Sequence, residues 1–294
     1  MNITNLFLLW ICGGLISITY AMGKIAAQHQ LAGLSLLYWQ IVGASAIVLA
    51  AASRAGQWPS LSASHVRYYL LAGLMGFTLP YLLTYHVLQT LPSGVVGVIA
   101  SLSPLITYGL VLLVKPGAFG WIKALGLLIG FAGVLAILLP KSSLPAPDLW
   151  TWALLACVSP LLLACGNLYR TTAWPKGGLP IQMASGLLLT QLLLLTPPFI
   201  ASGAELPPPQ SWPVVAGAAL GSGLFYLLAF KLQQRTTPVY VGQLGYVIAL
   251  CSMLLGIAMF DEQISAWLWL GASLIAVGVV LVSVQSSNAS GAVS

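Results

Sequence analysis

A stripe of polar and aromatic side chains follows one face of the apolar stretch 67–89. Its members recur at spacings of three and four residues, the period of an α-helix, and are Thr78, Tyr81, Tyr85 and Gln89. A tyrosine ring attracts an ammonium group held over its face, an interaction worth roughly 1–2 kcal/mol where water is excluded. Hydroxyl and amide groups donate hydrogen bonds to a carboxylate. The stripe therefore predicts a site for a small zwitterion that needs no fixed charge in the protein.

Polar side chains also interrupt other apolar stretches. The stripe has a counterpart at Gly223, Tyr226, Phe230 and Gln234, and further positions are Ser101, Ser103, Thr107, Tyr108, Ser159, Asn167, Gln243, Tyr246 and Ser252. Taken singly, Ser and Thr often bond a carbonyl of their own helix or tighten helix packing, so each position also has a purely structural interpretation. From the whole set we predict these substrate-binding residues: Thr78, Tyr81, Tyr85, Ser101, Ser103, Tyr108, Asn167, Tyr226, Gln243 and Tyr246.

Titratable side chains are scarce in these stretches. His86 lies about one turn from the end of its stretch, and histidine titrates near neutral pH, so it is a candidate for proton coupling. The alternative, a histidine wetted at the membrane surface, fits its position better. Lys24, Arg170 and Lys231 stand at the ends of stretches, where long side chains snorkel to water. Of these three, Lys24 is the candidate that could help to admit a carboxylate.

The sequence offers nothing for metal or nucleophile chemistry. The cysteines lie inside apolar stretches without metal-ligand spacing and are interpreted as packing residues: Cys12, Cys157, Cys165 and Cys251. No Asp or Glu falls near the middle of an apolar stretch. We therefore predict no catalytic residue, no metal and no cofactor.

The composition identifies the surroundings in which these residues work. The 294 residues are 59% hydrophobic and 5% charged, whereas soluble domains carry about a quarter charged residues. Most of the surface must therefore face lipid. A net charge of +6 could suggest a nucleic-acid partner, but the basic residues occur singly in short loops and form no patch. We predict a lipid bilayer and no nucleic acid as partner.

A bilayer is crossed by about 20 apolar residues in a helix. The sequence predicts ten such spans: 4–24, 32–52, 67–89, 92–114, 119–139, 147–170, 179–201, 211–233, 237–260 and 264–284. The first is expected to remain in the mature protein, since residues 1–5 have no basic side chain and the apolar run is long for a signal peptide. The predicted fold class is an all-α membrane protein.

The basic residues set the orientation of the spans. With the N-terminus in the cytoplasm, the inner loops hold eight of them: Arg54, Arg67, Lys115, Lys123, Arg170, Lys176, Lys231 and Arg235. The outer loops hold Lys24 and Lys141, together with the acids Asp148, Glu205, Asp261 and Glu262. This positive-inside bias predicts that both termini are cytoplasmic.

The chain matches itself at an offset of 145 residues. Paired positions include Gly76 with Gly221, Gly97 with Gly242, Gly126 with Gly271, Gly133 with Gly278, and Tyr81-Leu82-Leu83 with Tyr226-Leu227-Leu228. The halves 1–145 and 146–294 are thus predicted to be two copies of a five-span unit. Five is odd, so the copies cross the membrane in opposite senses. Inverted repeats are typical of transporters with a substrate site at the repeat interface; the alternative is a duplicated membrane protein without transport.

The motifs of both halves resemble a known family. Residues 99–139 contain "ASLSPL" and "GLLIGFAGV", and the second half contains "VGQLGYVIAL" and "MFDEQISAWLWLGASLIAVGVVL". These are similar to the repeat of the drug/metabolite transporter superfamily, specifically the ten-helix EamA-type exporters, with the bacterial aromatic amino-acid exporters the closest group. The family's acid between the last two helices is Glu262. The first half departs from the pattern, with Lys115-Pro116-Gly117 in that place.

The resemblance implies a bacterial inner-membrane exporter of amino acids whose first, third, fourth, sixth, eighth and ninth spans line the centre. Related multidrug pumps carry a glutamate in the first span, but the sequence here is Cys12-Gly13-Gly14. Relatives that carry sugar phosphates use buried Lys or Arg, whereas the cations here stand at span ends.

We therefore predict a secondary transporter that exports small zwitterionic metabolites, including aromatic amino acids, by alternating access through a neutral polar and aromatic cavity. The alternatives are a carrier of other metabolites or drugs, a channel, and a membrane enzyme that modifies lipids. A channel would show charged rings or a filter loop. An enzyme would need a catalytic cluster, and Asp261-Glu262 has no histidine near it in the sequence and is interpreted as the cap of the last span. A monomer and a homodimer both remain open.

Overall fold

A computed structural model describes residues 3–115, 119–138, 149–203, 206–260 and 266–290. Within these ranges the chain is helical and contains no β-strand. The helices are α1 (Ile3–Gln28), α2 (Gly33–Ala55), α3 (Ala63–Gly73), α4 (Leu79–Val87), α5 (Ser93–Ala100), α6 (Ser103–Val114), α7 (Trp121–Leu138), α8 (Trp150–Ala156), α9 (Val158–Thr172), α10 (Pro180–Ala201), α11 (Trp212–Arg235), α12 (Pro238–Gly242), α13 (Leu244–Phe260) and α14 (Ala266–Ser290). A π-helical turn, Leu74–Thr78, joins α3 to α4.

Seven helical segments in the described ranges are long and apolar enough to cross a bilayer: Ile3–Gln28, Gly33–Ala55, Ala63–Val87, Trp150–Thr172, Pro180–Ala201, Pro209–Arg235 and Pro238–Phe260. Large apolar side chains such as Leu113, Trp121 and Leu193 are exposed, as expected of a surface that faces lipid. The chain is therefore a multi-pass helical membrane protein. Shorter apolar helices occupy parts of the predicted spans 92–114, 119–139 and 264–284. That these three stretches also cross the membrane, to give ten spans, stays a prediction.

A proline breaks the third span near its middle. Pro80 has no N–H group, so the carbonyl of Gly76 loses the donor that an α-helix would supply four residues later. The hydroxyl of Tyr226 on α11 donates to this carbonyl at 3.1 Å. Irregular backbone at membrane depth is stable where protein replaces the missing bond. The two predicted halves are thus joined by a hydrogen bond at this break.

Glycines separated by 145 residues make reciprocal contacts. A Cβ placed on Gly133 would lie 2.6 Å from the carbonyl oxygen of Gly271, and one on Gly278 would lie 2.5 Å from that of Gly126. The offset of 145 residues converts Gly133 into Gly278 and Gly126 into Gly271, so the two contacts are equivalent under the sequence repeat. Because glycine has no side chain, α7 and α14 pack with their backbones close together. An internal two-fold axis would produce contacts of this kind.

The remaining helices enclose the centre. Helix α1 packs against α11 and α13, α5 packs against α13, and α9 packs against α6 and the π-helical turn. Helix α2 packs against α11 and α10. These contacts bring residues from both halves around one internal space.

Candidate functional site

A narrow cavity of about 50 Å³ lies between the helices of the two halves. Its polar and charged lining residues are Tyr20, Tyr81, Ser103, Asn167 and Arg170, and its larger apolar ones are Ile16, Leu163, Leu244, Ile248 and the ring of Phe225. A space of this volume holds only a few water molecules. It must therefore widen before a solute of amino-acid size can enter.

Arg170 is the charged group of this cavity. The sequence interpretation placed it at a helix end with its side chain in water, and that interpretation is wrong, since Arg170 is only 7% exposed. Its backbone lies near the end of α9, but the guanidinium extends inward to Gly76, near the middle of the Ala63–Val87 segment. A Cβ at position 76 would overlap Nη1. The cavity is consequently cationic, whereas the sequence had predicted a neutral cavity.

Neutral side chains hold the guanidinium in place. Its Nε donates to Oε1 of Gln233 at 2.9 Å, and its Nη2 donates to Oδ1 of Asn167. Nε2 of Gln233 in turn donates to the Asn167 carbonyl at 3.2 Å and to the Thr171 hydroxyl at 3.0 Å. The third nitrogen, Nη1, is buried and has no hydrogen-bond partner among the described residues. The group is thus oriented by α9 and α11, with one nitrogen still able to donate.

No carboxylate in the described part of the chain balances this charge. The acidic residues, Asp148, Glu205, Asp261 and Glu262, all lie outside the described residues, as does Lys141. The predicted cap at 261–262 falls there too. A buried guanidinium with neutral partners alone pays a large desolvation cost.

Three predicted substrate-binding residues line the cavity: Tyr81, Ser103 and Asn167. The hydroxyl of Tyr81 is buried and has no partner of regular hydrogen-bond geometry among the described residues, although it interacts loosely with Ser222. Asn167 uses its side-chain oxygen to hold Arg170. These three residues come from α4, α6 and α9, so the structure brings together parts of both halves.

The other predicted residues lie outside the cavity lining. The Thr78 hydroxyl donates to Gln191 at 2.7 Å, the Tyr85 hydroxyl donates to Gln40, and the Tyr226 hydroxyl donates to Gly76. Tyr108 accepts from the N–H of Gly120 at 2.8 Å. Ser101 lies where Gly245 approaches its backbone, Gln243 is fully buried at the break between α12 and α13, and Tyr246 packs against Gly130. Most of these residues are therefore placed to join helices.

The two surface candidates also lie away from the cavity. His86 is exposed and its ring centroid lies 5.2 Å from that of Trp152. This placement agrees with the surface interpretation of His86 and gives it no contact with the cavity. The ammonium group of Lys24 donates to the carbonyls of Leu88 and Leu91 at 3.3 and 3.2 Å, where the third span ends. Lys231 is exposed.

Sequence reasoning missed Arg170, Tyr20 and Gly76 as cavity residues. A signal for Arg170 existed, because it follows Asn167 by three residues and shares its helix face. A similar signal existed for Tyr20, which follows Ser17 by three residues and precedes Lys24 by four. Gly76 was seen only as a position of the repeat.

Tyr81 and Tyr226, which are paired in the sequence repeat, are expected to respond differently to loss of the hydroxyl. Tyr226→Phe removes the buried hydrogen bond to the Gly76 carbonyl, which costs about 1–3 kcal/mol and should lower the melting temperature by several degrees. Tyr81→Phe removes a hydroxyl that has no regular partner in the described structure, so stability should hold while solute uptake changes. Thermal unfolding in detergent compares the two variants. Equal losses of stability would contradict this assignment.

The fold and the cavity together indicate the class of protein to which the chain belongs. Several apolar spans, packed through glycines around a polar cavity built from both halves, are the construction of a membrane transporter. The EamA-like transporter family model matches the chain twice, over residues 5–139 and 150–284. The chain therefore belongs to the EamA-like transporter family, within the drug/metabolite transporter superfamily.

Individual relatives agree with this assignment. The chain is 26% identical over 203 residues to a protein named "Uncharacterized inner membrane transporter YedA" in Escherichia coli strain K12, and equally to its counterpart in Escherichia coli O157:H7. The match spans 66% of this chain and 63% of that protein's length. A solved crystal structure superposes with a TM-score of 0.71 at 17% identity, covering 95% of this chain and 97% of the other. At this identity the likeness concerns the fold alone.

Proposed function

We propose that this transporter exports small zwitterionic metabolites, amino acids including aromatic ones among them, across a bacterial inner membrane. The observation that carries the proposal is a cavity whose walls combine the rings of Tyr20, Tyr81 and Phe225 with the polar groups of Asn167 and Arg170. A carboxylate can face the guanidinium, and an ammonium group can lie over a tyrosine ring. The apolar wall suits an aliphatic or aromatic side chain.

Alternating access between the halves 1–145 and 146–294 is the proposed mechanism. The reciprocal contacts of Gly133 with Gly271 and of Gly278 with Gly126 support a two-fold relation between the halves. In inverted-repeat carriers, rocking of one repeat against the other opens a central site first to one side and then to the other. The small volume of the cavity supports a step in which the halves separate before the solute binds.

The orientation proposed from the sequence follows the bias of eight basic residues against two. Both termini and the loop 54–64 are then cytoplasmic. Under this orientation the backbone of Arg170 stands near the cytoplasmic end of its span. Its side chain extends from there toward the middle of the membrane, on the side from which an exported solute arrives.

Counterflow tests the proposal directly. Purified protein in liposomes loaded with unlabelled phenylalanine should accumulate labelled phenylalanine from outside, and protein-free liposomes should not. A panel with tryptophan, tyrosine, leucine, lysine and glutamate ranks the side chains, and the aromatic and aliphatic ones are expected to lead. The same preparation in detergent should leave these solutes and added lipids chemically unchanged. Absence of counterflow for every amino acid would contradict the proposed substrate class, and lipid turnover in detergent would favour the enzyme.

A further inference from the structure

We infer that Nη1 of Arg170 is the anchor for a carboxylate, and that the cavity accepts small carboxylates with an apolar or aromatic body whether or not they carry an ammonium group. The inference deepens the proposed function and rests on it in one respect, that the cavity lies on the path of the solute. It names the part of the substrate that the protein recognises most strongly.

The first support is the buried charge. Arg170 is 93% buried, and none of the residues in the described ranges is an Asp or Glu that could neutralise it. An ionisable side chain inside the membrane is costly to keep and marks a functional site by default. A ligand that brings its own negative charge would remove that cost when it binds. Zwitterions and simple carboxylates both meet this requirement.

The second support is the geometry of the guanidinium. Gln233 and Asn167 occupy Nε and Nη2, and both are neutral acceptors, so they orient the group without cancelling its charge. The buried Nη1 has no acceptor in the described part of the chain and lies over Gly76 at the cavity wall. A guanidinium nitrogen with both protons unused is suited to a charge-assisted bond with a carboxylate oxygen. The hydroxyl of Tyr81 at the same cavity is a second available donor.

The third support is the composition of the lining. Besides the guanidinium, the cavity is lined by Ile16, Leu163, Phe225 and Ile248, which suit an apolar body. For an ammonium group the described lining offers aromatic faces and neutral oxygens such as that of Ser103, and no negative charge. The carboxylate should therefore contribute more to recognition than the ammonium. A deaminated analogue should bind about as well as the amino acid.

Ligand-induced stabilisation of the purified protein in detergent tests the inference with matched pairs. 3-Phenylpropionate and phenylalanine are compared with 3-phenylpropionamide and phenylalaninamide, which keep the shape and lose the carboxylate. In the wild type both carboxylates should raise the melting temperature and both amides should not. Arg170→Gln should weaken carboxylate binding at least roughly tenfold and abolish the difference within each pair. Lys231→Gln removes an exposed cation and should leave the difference unchanged.

Several outcomes would overturn the inference. If Arg170→Gln still binds the carboxylates more tightly than the amides, Arg170 is a structural residue and not the anchor. If the wild type binds acid and amide equally, the cavity has no carboxylate anchor. Stabilisation by inorganic phosphate with none by either carboxylate would identify an inorganic anion site. If Arg170→Gln does not fold, Arg170→Lys, which keeps the charge and loses the fork, should keep the preference for the acid at reduced affinity. Because binding is read in detergent, carboxylate binding without counterflow would contradict the proposed function and leave this inference standing.

Discussion

Replacing Gly76 with alanine should reduce solute transport at least roughly tenfold in a chain that still folds. A Cβ at this position would overlap Nη1 of Arg170, which is the end of a flexible side chain and not part of the backbone. The guanidinium should therefore shift and leave its position over the cavity wall, while the helices keep their packing. Because catalytic and binding groups lose most of their effect when displaced by about 1 Å, the loss should be large.

The matched control is Gly14→Ala on α1, where an added Cβ would meet no atom within 4 Å. Counterflow of phenylalanine measures transport, and the carboxylate and amide pair measures the state of the anchor. Gly76→Ala should raise the KM for the carboxylate. It should also narrow the difference between the melting temperatures with bound acid and with amide, whereas Gly14→Ala should match the wild type in both measurements. Wild-type transport by Gly76→Ala would show that the position of the guanidinium is unimportant.

Replacing Gln191 with leucine is expected to produce the largest loss of stability. This fully buried side chain on α10 accepts from the Thr78 hydroxyl at 2.7 Å and donates to the carbonyls of Tyr69 and Leu70 at 3.2 and 3.3 Å. All three partners belong to the third span around its π-helical turn. Leucine keeps the volume and removes every one of these bonds, so the free energy of unfolding should fall by about 2–4 kcal/mol.

Thermal unfolding in detergent measures this effect, with Gln234→Leu as the control. Gln234 lies on α11 and is exposed, so its replacement should change the melting temperature little. If both variants melt together, the amide of Gln191 does not stabilise the π-helical turn. In that event Thr78 and the two carbonyls must be satisfied by rearrangement of the turn itself.

Seven of the ten predicted spans are confirmed as helices long and apolar enough to cross a bilayer, because hydropathy depends on the local sequence alone. The ends of the helices follow prolines, glycines and charges that sequence reasoning recognises, and the third span was predicted at 67–89 against Ala63–Val87 in the structure. The repeat and the family of the chain could likewise be recognised, because both depend on the sequence itself. Which helices contact one another could not be read from either signal.

The stripe of the third span was predicted as one binding face, and the structure divides it. Thr78 contacts α10, Tyr85 contacts α2, and Tyr81 lines the cavity. The π-helical turn Leu74–Thr78 does not separate Tyr81 from Tyr85, because both follow it on the regular helix α4. Helical spacing predicts which side chains share a face, but it does not identify the partner that each of them meets. In addition, this span has protein neighbours on several sides, and a polar face can satisfy any of them.

Arg170 was misplaced for a different physical reason. Depth in the membrane was judged from the position of its backbone near the end of a span, but an arginine side chain is long enough to reach either the interface or the interior. The choice is made by Gln233 and Gly76, which lie on other helices and far away in the sequence. Only a structure shows that these two positions meet Arg170. Tyr81 therefore lies in the cavity lining, whereas the sequence analysis did not place the charge of Arg170 there.

The central claim, that the cavity is opened alternately to the two sides of the membrane, is tested most directly by the accessibility of Ser103. This residue lines the cavity and is only 3% exposed, and the four cysteines of the chain can be replaced to leave Ser103→Cys as the single thiol. Right-side-out and inside-out vesicles are then treated with a membrane-impermeant thiol reagent. We predict labelling in both preparations, and slower labelling in each when phenylalanine is present. Labelling from one side alone, or from neither side, would contradict alternating access through this cavity.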